Sequence, residues 1–241
     1  MTQSEFIKEC QVLFETNGLS CAQEQAEKLY RLTERMLFVN QSMNLTAIKE
    51  EKAIILRHYV DSVTLSAQIP TGATLMDVGC GAGFPTLPLA IFRPDLKITA
   101  LDGTAKRIAY VKETAELLGL DNVTAIAGRA EEYGHQAGYR ECFDVVTARA
   151  VAALPVLCEL CLPFAKVDGV VIAMKSAQAK EEIAQSMQCI KLCGGSLQRE
   201  EACDLTDGDG VEKRTLVVIK KTTATPKIYP RHFSKISKKP L

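Results

Sequence analysis

The chain has 241 residues, 47% of them hydrophobic, with 29 acidic and 29 basic side chains and a formal net charge of zero. This length and composition can bury a full core, as one large domain or as a domain with an appendage. The sequence shows neither the roughly 20-residue apolar run of a membrane span nor a signal-peptide pattern, so we expect a cytoplasmic protein. Nine cysteines form no zinc-binding pattern, which favours free buried thiols and no metal site.

Residues 1–68 predict an N-terminal helical extension. Apolar spacing and end signals predict three helices, one between Ser4 and Gly18, one from Cys21 to Phe38 and one from Glu50 to Ala67. Ser4 and Ser20 are the expected N-caps, and residues 40–44 are expected to break the helical pattern.

The stretch from Thr74 to Pro85 predicts a ligand-binding turn. A short apolar strand runs into three glycines at alternate positions, and a helix-like apolar run follows. A strand, a glycine turn and a helix N-terminus form the nucleotide-binding crevice of a parallel sheet. The spacing is neither G-x-G-x-x-G nor a phosphate-binding G-K-[ST] motif, and Asp77 would repel a pyrophosphate. We therefore expect a cationic or neutral adenosine ligand, with S-adenosylmethionine as the candidate and Asp77, Gly79 and Gly81 among its contacts.

Strands and helices then alternate to the end of a predicted domain over residues 69–221. Further strands are expected at residues 97–102, 122–127, 142–147, 169–174, 196–202 and 214–220. The connection between the last two is too short for a crossover helix, so they should pair antiparallel. The prediction is an α/β fold with a doubly wound seven-stranded sheet.

Three candidate ligand-binding residues lie at or after the ends of the second and third strands. Asp102 ends the second strand about twenty residues after the glycine turn, where an acid accepts hydrogen bonds from ribose hydroxyls. A helix-capping role is the alternative for Asp102. Ala130 and Glu131 follow the third strand and are expected at the adenine edge, although acidic residues also commonly begin helices.

Arg149 follows the fourth strand, where amino-N methyltransferases place a D/N-P-P-Y/F loop that this sequence lacks. A primary amine needs proton acceptors to free its lone pair, whereas a ring nitrogen such as guanine N7 already offers one in plane. The lack of the loop therefore suits an N7 target that needs no general base. Arg149 could bind the cofactor carboxylate or guanine O6; a structural ion pair is the alternative.

Residues 222–241 form a predicted basic tail. All 29 acidic residues lie at or before Glu212, and nine of the 29 basic residues follow it. Such a tail is expected to bind a polyanion, through five cations and three aromatic side chains that could stack on bases: Lys227, Arg231, Lys235, Lys238, Lys239, Tyr229, His232 and Phe233. Three prolines predict an extended segment. A solvated terminus, or a wrap that completes the fold, is the alternative.

The sequence also resembles, nearly end to end, the RsmG (GidB) family of small-subunit rRNA guanine-N7 methyltransferases. The matching segments are Asn44-Leu-Thr-Ala-Ile48, Arg57-His-Tyr-Val-Asp-Ser62, Asp77-Val-Gly-Cys-Gly-Ala-Gly-Phe-Pro85, Lys106-Arg107, Gly128-Arg-Ala-Glu131, Phe143-Asp-Val-Val-Thr-Ala-Arg-Ala150, Tyr229-Pro-Arg231 and Lys238-Lys-Pro-Leu241. The resemblance implies a class I (Rossmann-like) methyltransferase that uses S-adenosylmethionine to methylate N7 of one guanine in the 530 loop of 16S rRNA, in the small ribosomal subunit. It also implies cofactor contacts at Gly79, Phe84, Ala130, Glu131 and Arg149.

Three positions depart from the family pattern. Leu45 replaces the usual Arg, Thr86 the usual Gly and Ser176 part of the usual Lys-Gly. We expect Leu45 and Ser176 to alter RNA or substrate contacts and Thr86 to cap its helix. A methyltransferase for small molecules or proteins, and a non-catalytic RNA-binding module, are the other function classes that stay open. A monomer is expected.

Overall fold

A central β-sheet organises the protein, for which the computed structural model describes residues 1–176 and 179–241. The strands are β1 (Thr74–Val78), β2 (Lys97–Asp102), β3 (Val123–Ala127), β4 (Phe143–Arg149), β5 (Ala165–Ser176), β6 (Gly195–Ala202), β7 (Leu205–Thr206), β8 (Val211–Glu212) and β9 (Arg214–Lys221). Seven of them form one sheet in the order β3-β2-β1-β4-β5-β9-β6, and β7 pairs with β8. Strands β1 to β5 are parallel, and β9 pairs antiparallel with both β5 and β6. The predicted doubly wound seven-stranded sheet is therefore confirmed.

Helices cover both faces of this sheet. They are α1 (Gln3–Thr16), α2 (Gln23–Met43), α3 (Glu51–Ile54), α4 (Asp61–Thr64), α5 (Thr86–Phe92), α6 (Ala105–Leu118), α7 (Ala130–Tyr133), α8 (Leu154–Cys161), α9 (Ala179–Leu192) and α10 (Phe233–Lys238). Apolar residues of α1, α2, α5 and α6 pack into one buried cluster, and those of α8 and α9 pack into a second. None of the helices in the described part of the chain is long and apolar enough to span a membrane.

The N-terminal region is helical as expected, but its helices begin and end elsewhere. Thr2, rather than Ser4, caps α1, and its side chain and that of Glu5 form a reciprocal capping box. The expected break at residues 40–44 is wrong, because α2 continues to Met43. The side chain of Asn40 bonds both backbone polar groups of Thr46, at 2.9 Å each. These two bonds satisfy the polar side chain of Asn40 while its backbone stays helical. Local helix propensity could not predict them, because Thr46 lies beyond the end of the helix.

The third predicted helix contains a π-helical turn. Between α3 and α4 the chain forms six π-helical residues, Ile55–Val60, and a 3-10 turn, Leu65–Gln68, follows α4. Such π turns are often found at functional sites. Here the turn presents Arg57 and His58 to the end of β4, where Arg149 donates to the backbone oxygen of Arg57 at 3.0 Å.

The C-terminal segment packs on the sheet domain and is partly helical. The prediction of an extended tail is wrong for Phe233–Lys238, which form α10 between two prolines. Ile236 of α10 is fully buried against Val156 and Leu160 of α8. Burial of this apolar side chain stabilises α10. A helix this short would not be stable in isolation.

Candidate functional site

The glycine turn after β1 has the backbone geometry that its sequence demands. Gly79, Gly81 and Gly83 have φ angles of 75°, 56° and 86°, a left-handed conformation that side chains other than glycine rarely adopt. The Gly81 amide donates to Asp102 Oδ2 at 3.0 Å. A Cβ atom added at Gly81 would meet only the Gly79 carbonyl oxygen, at 4.0 Å, and would otherwise project into open space. The turn therefore forms a backbone cradle that a side chain would fill.

Three adjoining cavities lie along the carboxyl ends of the parallel strands. Their volumes are about 280, 330 and 400 Å³. The first and second share Gly79, Asp102, Arg107 and Val151 in their walls. The second and third share His58, Arg149 and Ala150. Ligand pockets in open α/β sheets occur at this edge, and the shared lining residues make the three cavities one continuous groove.

The first cavity brings together the residues predicted for ribose and adenine. Asp102, Ala130 and Glu131 line it, together with the apolar side chains of Val78 and Leu101. Asp102 accepts from Gly81 through Oδ2 and from the Thr104 amide through Oδ1, at 2.8 Å, just before α6. Each carboxylate oxygen has a second acceptor site. Asp102 therefore holds in place both the glycine turn and the turn that precedes α6. It can still accept hydrogen bonds from a ligand.

The second cavity is lined by the glycine turn and by a stack of planar side chains. The rings of His58 and Phe84 lie 4.5 Å apart and nearly parallel. The Arg149 guanidinium carbon lies 5.2 Å from the Phe84 ring centroid, within the range of a cation–π contact. Gly81, Phe84 and Arg149 thus line the same cavity.

Arg149 also forms an ion pair at the border of the third cavity. Its Nη1 donates to Asp61 Oδ2 at 2.9 Å, and both side chains are largely buried. Arg214 lies 3.4 Å from the other carboxylate oxygen of Asp61. The structural ion pair considered for Arg149 therefore exists, and Arg149 lines two cavities as well.

Asp77 lies beneath the turn and outside the cavity walls. It is completely buried, and Thr86 Oγ1 donates to its Oδ2 at 2.6 Å. Within residues 1–176 and 179–241, Asp77 Oδ1 is a buried oxygen with no hydrogen-bond partner. Burial raises the pKa of Asp77 to about 6. The expectation that Thr86 caps its helix is wrong, because Pro85 occupies the N-cap position and the Thr86 hydroxyl is bonded to Asp77.

His58 and Cys80 are the titratable side chains nearest the turn besides the acids. Burial and the positive charge of Arg149 lower the pKa of His58 to about 3, so the imidazole is neutral at neutral pH. Its Nε2 lies 2.9 Å from Thr46 Oγ1. Burial raises the pKa of the Cys80 thiol well above its ordinary value. Neither side chain is therefore suited to exchange a proton in the neutral range.

Sequence reasoning did not place three residues at this site, and it assigned one of them, Phe233, to RNA bases instead. Arg107 lies in the walls of the first two cavities, and Arg129 and Phe233 line the first. Arg107 could have been found from its position in the first turn of the helix after Asp102, but Phe233 is distant in sequence. Two of the family departures also lie here, Leu45 in the second cavity and Ser176 in the third.

The tail has fewer free cations and aromatic rings than expected. Arg231 pairs with Glu159 at 2.7 Å, Tyr229 is buried, and Phe233 lines the first cavity. Lys227, Lys235, Lys238 and Lys239 remain exposed. No cluster of three or more His, Cys, Asp or Glu side chains in the described ranges is placed to hold a metal ion.

Two solved structures illustrate the likeness of this fold to known proteins. An O-methyltransferase from Bacillus cereus, in complex with SAH, has a TM-score of 0.52 and 18% identity and covers 79% of this chain and 91% of its own. M. jannaschii TYW2, in complex with AdoMet, has a TM-score of 0.53 and 18% identity and covers 68% of this chain and 76% of its own. These likenesses confirm the predicted class I methyltransferase fold.

Sequence relatives are more similar and cover the chain more fully. The ribosomal RNA small subunit methyltransferase G of Lactobacillus acidophilus is 44% identical, over 92% of this chain and 93% of its own. That of Brevibacillus brevis is 40% identical over the full length of both chains. The family model described as rRNA small subunit methyltransferase G (GidB) matches residues 25–208. The chain therefore belongs to the rRNA small subunit methyltransferase G family.

Proposed function

We propose that this methyltransferase transfers a methyl group from S-adenosylmethionine to N7 of a single guanine in the 530 loop of 16S rRNA, in the small ribosomal subunit. The observation that supports this best is the row of three connected cavities, which offers room for a nucleoside cofactor beside a second planar ligand. Membership of the family supports the ribosomal RNA substrate.

The residues of the first two cavities fit the proposed cofactor. Asp102 would accept hydrogen bonds from the ribose hydroxyls, and the backbone and side chains at Ala130 and Glu131 would meet the adenine edge. Gly79 and Gly81 would let the backbone approach closely, with Phe84 and Arg149 bordering the other end. Asp77 would act from below, by supporting the turn. When bound, the cofactor supplies an electrophilic methyl group on a sulfonium.

The third cavity fits a guanine better than an amine substrate. Guanine presents two acceptors, N7 and O6, on one edge, and Arg57, Arg149 and Arg214 line this cavity. The Asp61 carboxylate faces the same space and would accept from ring N–H groups. Because N7 has no proton to lose, no general base is needed. The role of the protein is then to hold the acceptor nitrogen close to and in line with the methyl group.

A ribosomal RNA substrate would place the enzyme in the cytoplasm, and we propose that it acts as a monomer. The exposed lysines of the C-terminal segment would contact RNA phosphates.

Transfer of a tritiated methyl group tests the proposal. The purified protein is given labelled S-adenosylmethionine with unmethylated 30S subunits, naked 16S rRNA or a mixture of free metabolites and proteins. We expect label only in the RNA, and strand cleavage specific for 7-methylguanine should map it to one position in the 530 loop. Label in metabolites or proteins would support a different substrate class, and lack of cofactor binding would contradict the proposal altogether.

A further inference from the structure

The C-terminal segment forms part of the wall of the first cavity. Phe233, the first residue of α10, lines this cavity together with Leu101, Asp102 and Ala130. These other residues belong to the strand ends and turns of the sheet. Phe233, in contrast, lies near the C-terminus of the chain, after the last strand.

Three sets of contacts hold this segment in position. The carboxylate of Glu159 is fully buried and accepts from the Arg231 backbone amide at 2.8 Å and from its side chain at 2.9 Å and 2.7 Å. Arg140 Nη1 donates to the backbone carbonyl oxygen of Tyr229 at 2.9 Å. Ile236 is buried against α8. A charge-assisted pair of this kind gives directional restraint, so the Phe233 ring has a defined place at the cavity.

Arg129 completes the same wall. Its guanidinium carbon lies 4.9 Å from the Phe233 ring centroid, and its Nε donates to Glu131 at 3.2 Å. Its Nη1 lies only 3.1 Å from the place that a Cβ atom at Gly103 would occupy. Arg129 therefore packs over the backbone after β2 and under an aromatic ring, and all of these residues face the first cavity.

We propose that Phe233, supported by Arg129, is a cofactor-binding residue that packs on the purine of S-adenosylmethionine. The C-terminal segment is then an integral part of the cofactor site and not only an RNA anchor. This inference rests on the proposed function. An aromatic ring and a guanidinium plane are the groups that proteins use to stack on a base, and the apolar side chains of Leu101 and Leu160 also line this cavity.

Two variants test this with readouts that do not depend on activity. F233A should raise the Kd for S-adenosylmethionine and for adenosine by about tenfold or more, as the loss of one base–aromatic contact does. The wild-type chain contains no tryptophan, so F233W introduces a single fluorophore whose emission should change when S-adenosylmethionine is added. F38W is the matched control, because Phe38 is exposed and lies in α2, outside the cavity walls.

The outcomes separate this inference from the proposed function. If wild type binds S-adenosylmethionine and F233A binds it equally well, or F233W emission does not respond, the role of Phe233 is overturned. A response in F233W without one in F38W supports it, even where F233A folds poorly. Lack of binding by wild type would overturn the proposed function, and with it this inference.

Discussion

Arg149 and Asp61 form a largely buried ion pair, with 2.9 Å between Nη1 and Oδ2, that joins the end of β4 to the first residue of α4. Arg214 of β9 approaches the same carboxylate at 3.4 Å. The sheet, the π-helical region and the last strand thus meet at one carboxylate in the wall of the third cavity. This contact couples the stability of the fold to the shape of the site.

D61N should lower the free energy of unfolding by about 3 kcal/mol, because removing one partner of a buried pair leaves the Arg149 guanidinium without its counter-ion. Urea denaturation followed by circular dichroism measures this change. The matched control is E113Q, which breaks an exposed pair with Arg35 of similar length, 2.6 Å, and should cost about 1 kcal/mol or less. Equal effects of the two substitutions would show that Asp61 is solvated in solution.

G81V should abolish S-adenosylmethionine binding, since its side chain would project into the cradle of the second cavity. Valine at a positive φ angle also strains the backbone, so the control must share that strain. G72V provides it, because Gly72 has a φ of 71° with open space around it and lies outside the groove. Calorimetric titration should give wild-type affinity for G72V and no binding for G81V. Binding by a folded G81V would exclude the glycine turn from the site.

The lowered pKa of His58 predicts a loss of stability in acid. The unfolded chain binds a proton at His58 near pH 6.5, whereas the native state resists it until about pH 3. The unfolded state therefore binds more protons across this window, and the free energy of unfolding falls as the pH falls from 6.5 to 3. Relative to H58F, wild type should lose about 1.4 kcal/mol for each pH unit between 6 and 4. Parallel curves for the two proteins would contradict a buried neutral imidazole.

Methyl transfer in a single turnover should be nearly independent of pH between 7 and 9. Guanine N7 needs no deprotonation, and the pKa of His58, at about 3, lies below this range. Rapid-quench measurements at saturating RNA and cofactor would give the rate of the chemical step. A rise in rate with an apparent pKa near 7 would show that a general base takes part.

The exposed lysines of α10 should contribute to RNA affinity through phosphate contacts. K235Q/K238Q should reduce the slope of log Kd against log salt concentration by about 1.4 if both lysines neutralise phosphates on single-stranded RNA. K97Q/K191Q is the control, since Lys97 begins β2 at the opposite edge of the sheet and both side chains are exposed. Substitution is preferable to truncation, which would also remove Phe233. An unchanged slope in K235Q/K238Q would assign the segment a structural role alone.

The sequence by itself determined the sheet and the backbone of the ligand-binding turn. The α/β class follows from short apolar segments alternating with amphipathic helices, and the antiparallel pairing of β6 with β9 follows from the short connection between them. The turn at Gly79, Gly81 and Gly83 was predictable because a positive φ angle is a local requirement that glycine meets at little cost. Asp102 was predictable from its separation from that turn.

Only the tertiary structure decided which side chains meet. Asp77 was expected at the ligand and lies buried with Thr86, and α2 continues past the expected break because Asn40 finds its partners at Thr46. The C-terminal segment was expected to be extended and free, but Glu159 holds Arg231 and brings Phe233 to the first cavity. Local sequence specifies which backbone conformations each segment prefers. A contact between residues distant in sequence forms only when packing brings both of them together and buries or pairs their side chains.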